Sequence, residues 1–276
     1  MRGVSPGMAV ILLLLVAFIV AALAAPWIAP FDPLRQSLLL RLRPPGTTVA
    51  AGMYLLGTDD LGRDLLSRVL HGARASIAVA ALSVSISLAF GTLLGLLAGW
   101  FRGWVAIAIM RSVDTMLSIP AILLAVLTVA VLGPSFLNLI LVLGLTRWPR
   151  YTRVAYAQTL QVATLPYIRA AEMAGAGSTR VLWRHILPNI AGPLMVVATS
   201  EFGLMILFEA GLSFLGLGIQ PPYPSWGSIM SVGRQYVERA WWLTVFPGAC
   251  LFVLVLCVNL FGDWLRDRVD PRSQGR

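Results

Sequence analysis

Long apolar stretches alternate with short polar ones along nearly the whole chain. The first, MAVILLLLVAFIVAALAA over residues 8–25, carries no charge. Further apolar runs cover about 75–100, 104–132, 136–158, 190–216 and 243–262. A helix rises 1.5 Å per residue, so roughly 20 apolar residues cross the ~30 Å hydrocarbon core of a bilayer. Six membrane helices are predicted on that basis, the first extending toward Ile28. A secretory signal is the competing reading of the first run, because Ala22-Leu23-Ala24 looks like a cleavage site. Its apolar core is longer than the roughly 7–15 residues of a signal, which favours a membrane helix.

The polar intervals set the organisation. Residues 1–28 hold a short tail and the first span, and 29–74 form a segment outside the membrane, punctuated by Pro30, Pro33, Pro44 and Pro45. Residues 75–262 form a core of five spans, and 263–276 a tail. At the end of the first segment, LLGTDDLGRDLLSRVLHGAR looks like a short helix capped by Thr58 or Asp59, with acids in its first turn. Arg111 and Asp114 are spaced to pair on one helical face. Pro120, inside the third run, predicts a kink or a break. In the interval after the fifth run, SIMSVGRQYVERA predicts a short interfacial helix, and Trp226, Trp241 and Trp242 suit the headgroup zone.

Composition sharpens this picture. Charged residues make up 12% of the chain, against about 25% in soluble domains. The net charge is +9 and the 21 basic residues are all arginine. Because they flank the apolar runs, they read as interface anchors rather than a nucleic-acid surface. The absence of lysine excludes a G-x-x-x-x-G-K-[ST] loop, whose lysine holds the β- and γ-phosphates. Any nucleotide hydrolysis must come from a partner. Arginine bias, led by Arg266, Arg268, Arg272 and Arg276, places both termini and the interval 159–189 on the inner side. Cys250 and Cys257 lie two helical turns apart, too far for a bridge, and no metal-ligand spacing occurs.

That inner interval is the most informative. RAAEMAGAGSTRVLWRHILPN, residues 169–189, sits between two apolar runs yet has helical composition. A first helix is predicted from Pro166 to Ala174, with Ala170, Ala171 and Ala174 small enough for close approach of another surface. Gly175 and Gly177 permit a reversal. Ser178 is the expected cap of a second helix, ended by Pro188. The product is a helix-turn-helix arm over 165–188, a docking device with Arg169, Arg180 and Arg184 for polar contacts.

This arm resembles the loop with pattern E-A-A-x₃-G-x₉-I-x-L-P found in permeases of ATP-binding-cassette importers. Ala170, Ala171, Gly175, Leu187 and Pro188 match; Arg169 replaces the glutamate and His185 the isoleucine. APWIAPFDP, LLGTDDLGRDLLSR, LSFLGLGIQPPYPSWG, WWLTVFPG and NLFGDWLRDRVDPR are similar to one branch, the dipeptide, oligopeptide and nickel importers, and to its C-type subunit. The resemblance implies an all-α polytopic protein with the type I importer fold, six spans and a cytoplasmic coupling helix, in a bacterial inner membrane. It implies coupling through Arg169, Ala170, Ala171, Glu172, Gly175, Gly177, Leu187 and Pro188. The implied partners are a homologous second permease, two ATPase subunits that bind the ATP and magnesium, and an external substrate-binding protein. The chain itself would be no enzyme. Peptides, nickel or a related solute such as glutathione all fit.

Glu201 and Glu209 stand eight residues apart inside the fifth run. A carboxylate at membrane depth is costly and faces an interior or a wet cavity. Either one lines the translocation path, or they form ion pairs between helices or subunits. Two rival functions remain open on residues alone: a proton-coupled carrier using these glutamates, and a non-transporting membrane scaffold.

Overall fold

The computed structural model describes residues 5–50 and 52–269. Of the arginines behind the expected orientation, Arg272 and Arg276 lie outside those residues, as do the first four residues of the N-terminal tail and half of the tail 263–276. Helix α1, Pro6–Ile28, opens with Pro6 in its first turn and Ser5 Oγ accepting the Met8 N–H. A residue whose N–H is dispensable and a hydroxyl cap are favourable helix starts. Only Met8, Ala22 and Ala25 are buried on α1, so most of its apolar surface is not covered by this chain.

Four helices are long and apolar enough to cross a membrane, and a bent pair raises the number to as many as five. They are α1, α2 (Leu65–Phe101), the continuous helix Ser178–Phe214 and α10 (Trp242–Val269). The pair is α3, Gly103–Leu117, and α4, Ala121–Leu132, which meet at 84°. The break falls at Pro120, as its missing N–H predicts. Helix α5, Phe136–Val162, is 27 residues long but carries Arg147, Arg150 and Arg153. The predicted count of six thus corresponds to four long helices, one broken span and α5.

The segment between α1 and α2 departs from expectation. It holds an antiparallel hairpin, β1 Thr47–Val49 and β2 Gly52–Tyr54, with Thr48 opposite Met53. The capping prediction fails as well. GTDDLGRD is a folded loop, and α2 starts at Leu65 beneath Asp64, whose Oδ2 accepts from Ser67 N (2.7 Å) and Ser67 Oγ (2.6 Å). Asp59 instead organises the loop: its carboxylate accepts from Leu61 N and Arg63 N and pairs with Arg63 Nε (2.6 Å) and Arg68 Nε (3.2 Å). Burial pushes the Asp60 and Asp64 carboxyls above the ordinary range.

Contacts group the chain into two units that share the long helices: 5–81, 126–140 and 202–261; and 82–125, 141–201 and 262–269. In the first, two tryptophans assigned by sequence to the headgroup zone are core pins. Trp226, fully buried, donates from Nε1 to the Val69 carbonyl (3.0 Å), and Trp242 donates to that of Thr58 (3.1 Å). Only Trp241 of the three is well exposed. The short helix predicted over 228–240 is only partly there: α9 runs Trp226–Gly233, with a reciprocal cap between Ser225 and Ser228, and a 3-10 turn Arg234–Tyr236 follows it.

In the second unit, α2 and α5 approach so closely that side chains are excluded. A Cβ on Gly91 would lie 2.5 Å from the Trp148 carbonyl oxygen, on Gly95 2.4 Å from Ala155 Cβ, and on Gly99 2.5 Å from Thr159 Cβ. Small residues every fourth position bring membrane helices into backbone contact. Thr152 Oγ1 then donates to the Gly91 carbonyl (3.0 Å) and Ser87 Oγ to that of Gly144 (2.6 Å). Asp114 pairs with Arg153 of α5 at 2.7 Å rather than with Arg111; a facing helix offers a shorter reach than the expected intrahelical step.

Gly95→Val should destabilise this packing by about 1–3 kcal/mol, the usual cost of overfilling a tight contact. Thermal unfolding of the detergent-purified protein checks it: Gly95→Val lowers the midpoint, while Gly7→Ala, with nothing within 4 Å of the new methyl, leaves it in place.

Candidate functional site

The arm is built on two short helices and one reversal. Helix α6, Pro166–Met173, starts with a proline after extended Leu165 and buries Ile168 alone. It ends at Gly175, φ +84°, where the Gly175 N–H reaches the Glu172 carbonyl (2.9 Å) and the Ala176 N–H the Ala171 carbonyl (3.0 Å). That pair of bonds is the Schellman termination, which needs a left-handed residue at this place. Gly177 has another job than expected: at φ −68°, ψ 157° it is itself the cap of α7, Ser178–Val181, and Ser178 is the first helical residue without a side-chain cap.

Pro188 does not end the second helix, which is the chief correction to the predicted arm. A five-residue π-turn, Leu182–Ile186, follows α7, and α8 continues from Leu187 to Phe214. The cause is local. A proline removes one N–H and drives its ring toward the carbonyl four residues back. The wider turn, with the Leu187 N–H bonded to the Leu182 carbonyl, absorbs that clash without a break. Asn189 Nδ2 donates to the nearby His185 carbonyl (2.6 Å). The arm's second helix and the following span are therefore one helix of 37 residues, Ser178–Phe214.

The arm has two faces. Ile168, Val181, Ile186 and Ile190 are fully buried, with Leu182 nearly so. Outward stand Arg169, Ala170, Glu172, Arg180 and Arg184, together with Met173, 87% exposed, and Trp183, 56% exposed. Between the two helices lies a groove of about 340 Å³ lined by Ala171, Ala174, Ala176, Arg180, Arg184 and His185. Leu187 is half-buried and Pro188 exposed at its base. The groove combines alanines with basic side chains, and Met173 and Trp183 are exposed apolar residues of the same arm.

The two glutamates of α8 are not brought together. Glu201, 2% exposed, is gripped by the fork of Arg147, Nε to Oε2 at 2.8 Å and Nη2 to Oε1 at 2.9 Å, with Arg150 Nη1 at 3.3 Å. Glu209, fully buried, accepts from Ser76 Oγ (2.6 Å) and Ser213 Oγ (2.7 Å), with the Ser225 hydroxyl also beside it. This chain alone covers both carboxylates, and a docked subunit only removes more surface. Within this chain Glu201 is held by an ion pair between helices and Glu209 by serine hydroxyls. Sequence reasoning passed over Arg147 and Arg150 as counter-ions. Their signal was present: arginines three residues apart inside an apolar run require carboxylates at the same depth.

Residues 91–274 match the family described as "Binding-protein-dependent transport system inner membrane component". The "Di/tripeptide transport system permease protein DppC" of Pseudomonas aeruginosa is 45% identical over 262 residues, covering 95% of this chain and 86% of that protein. The "Dipeptide transport system permease protein DppC" of Escherichia coli is 44% identical, over 96% of this chain and 89% of its own. Inward-facing structures of the MetNI methionine ABC transporter share the fold, with a TM-score of 0.59 at 19% identity over 75% of this chain and 98% of theirs. The chain belongs to the family of binding-protein-dependent transport system inner membrane components.

Proposed function

We propose that this chain is one transmembrane half of an ATP-driven importer of short peptides. It pairs with a homologous second permease to enclose the path, and an external binding protein delivers the cargo. Two ATPase subunits grip the 165–188 arms on the cytoplasmic side, where both termini also lie. ATP and magnesium are held by those subunits; a chain without lysine has no phosphate loop of its own. Di- and tripeptides are the cargo class because they stand in the names of relatives that match nearly end to end.

The observation that carries this reading is the unbroken helix from the arm's groove into the membrane. A push on Arg180 or Trp183 enters a rigid rod rather than a loop. ATPase closure then biases a two-state bundle through that rod. A proton-coupled carrier fits less well, since Glu201 and Glu209 are both sealed and partnered. A mere scaffold leaves the exposed apolar and basic face of the arm without a task.

Uptake of a labelled dipeptide into ATP-loaded proteoliposomes holding all subunits tests the proposal. Filling the groove with Ala171→Trp should abolish uptake and ATPase association while the chain still inserts; undiminished uptake would overturn it. The second expectation concerns Glu201. Arg147→Met leaves a buried carboxylate short of its fork, costing about 3–5 kcal/mol, whereas Arg147→Met with Glu201→Leu recovers most of the stability. Thermal unfolding of the two variants measures the difference. Recovery of dipeptide uptake in the double variant separates an ion pair between helices from a proton carrier, which cannot work without its carboxylate.

A further inference from the structure

His71, Arg74, Ala75 and Ala78 occupy one stripe along the first turns of α2, and the stripe floors a cavity of about 730 Å³. Asp32, Phe136 and Ile219 also line it. The loop that carries Asp32 is fastened to α2. The Phe31 N–H donates to Ser67 Oγ (3.1 Å), and Arg68 Nη1 donates to the Pro33 carbonyl (3.3 Å). Asp32 Oδ1 accepts the Leu34 N–H (2.8 Å), so the carboxylate is held in place. Nothing assigned to the arm or to the buried glutamates uses these residues.

The polar groups are complementary to a zwitterion. Arg74 is exposed to the cavity and has no hydrogen bond or ion pair among the described residues. A guanidinium is the side chain best matched to a carboxylate, through two parallel N–H donors. His71 Nδ1 lies 2.9 Å from the Ser67 carbonyl; that bond makes Nδ1 the protonated nitrogen and leaves Nε2 as the free edge of the ring. Ala75 and Ala78 keep the floor low. The volume lies inside the range of roughly 300–1,000 Å³ for small-molecule sites, and a mostly apolar wall with few convergent polar groups is their usual chemistry.

We infer that this cavity is a peptide-binding subsite of the permease itself, in which Arg74 receives the C-terminal carboxylate, His71 lies beside it and Asp32 takes the ammonium. The inference rests on the reading of the chain as a peptide permease. It adds that the membrane subunit, and not only a delivering protein, recognises the peptide's charged ends.

The complete permease–ATPase complex in nanodiscs, without the binding protein, is titrated with Ala-Ala and with Ala-Ala amide. Saturable binding of Ala-Ala is expected, about tenfold weaker in Arg74→Gln, the loss of one charge-assisted contact. The amide should bind weakly and be indifferent to that change. Ala78→Trp, which fills the floor, should remove binding altogether. Equal Ala-Ala affinity in wild type, Arg74→Gln and Ala78→Trp would overturn the assignment, as would absence of binding in wild type. Loss of Ala-Ala binding in phosphatidylglycerol discs but not phosphatidylcholine discs would also overturn it, marking Arg74 as a lipid-headgroup contact. ATP-driven uptake by the same complex in proteoliposomes, with the binding protein added, separates the two levels. Uptake that persists while the cavity test fails removes only the subsite, whereas absent uptake removes the transport function.

Discussion

A proline inside a helix that stays unbroken governs this molecule. Pro188 sits where the arm becomes a span, and in an ordinary α-helix it would bend or end the rod. The π-turn over Leu182–Ile186 takes up the misfit, so one helix runs from Ser178 to Phe214. At 1.5 Å per residue a helix of that length reaches roughly 55 Å, well beyond the ~30 Å of hydrocarbon. The excess is the arm. The exposed Met173 and Trp183 and the groove lined by Arg180 and Arg184 belong to an arm whose second helix is continuous with the span.

A stiff rod transmits force only if its surroundings are packed. Here lateral packing uses two devices suited to a medium with no hydrophobic drive between helices. One is backbone contact through Gly91, Gly95 and Gly99, which lets Thr152 and Ser87 bond to main-chain carbonyls. The other is the fully enclosed polar rivet: Glu201 in the Arg147 fork, and Glu209 among serine hydroxyls. Satisfied polar groups in a low dielectric are costly to pull apart, so these contacts fix which helices stay together.

Much of this was legible in the sequence. Hydropathy alone located α1, α2, α8 and α10, and the break at Pro120 followed from one residue's missing N–H. The arm's reversal at Gly175 was readable because only glycine takes that conformation without penalty. What was not legible depended on partners far along the chain. Trp226 and Trp242 looked interfacial because tryptophan favours that zone, but each found a carbonyl in a core. Asp59 looked like a helix cap and became the hub of a loop, because Arg63 and Arg68 fold back on it. The glycine stripe was overlooked although G-x₃-G-x₃-G stands in the open at 91–99. Pro188 was read as a stop because a π-turn leaves no mark on composition.

The rigid joint between arm and span is open to direct measurement. With Cys250 and Cys257 replaced, spin labels at Thr179→Cys and Met195→Cys, both exposed on the continuous helix, report the distance across the π-turn in the assembled complex. The expected result is a single narrow distance that stays the same with and without ATP, while the arm moves as one piece with its helix. A broad distribution, or a distance that changes with nucleotide, would place a hinge at Leu182–Ile186 and contradict transmission through a continuous rod.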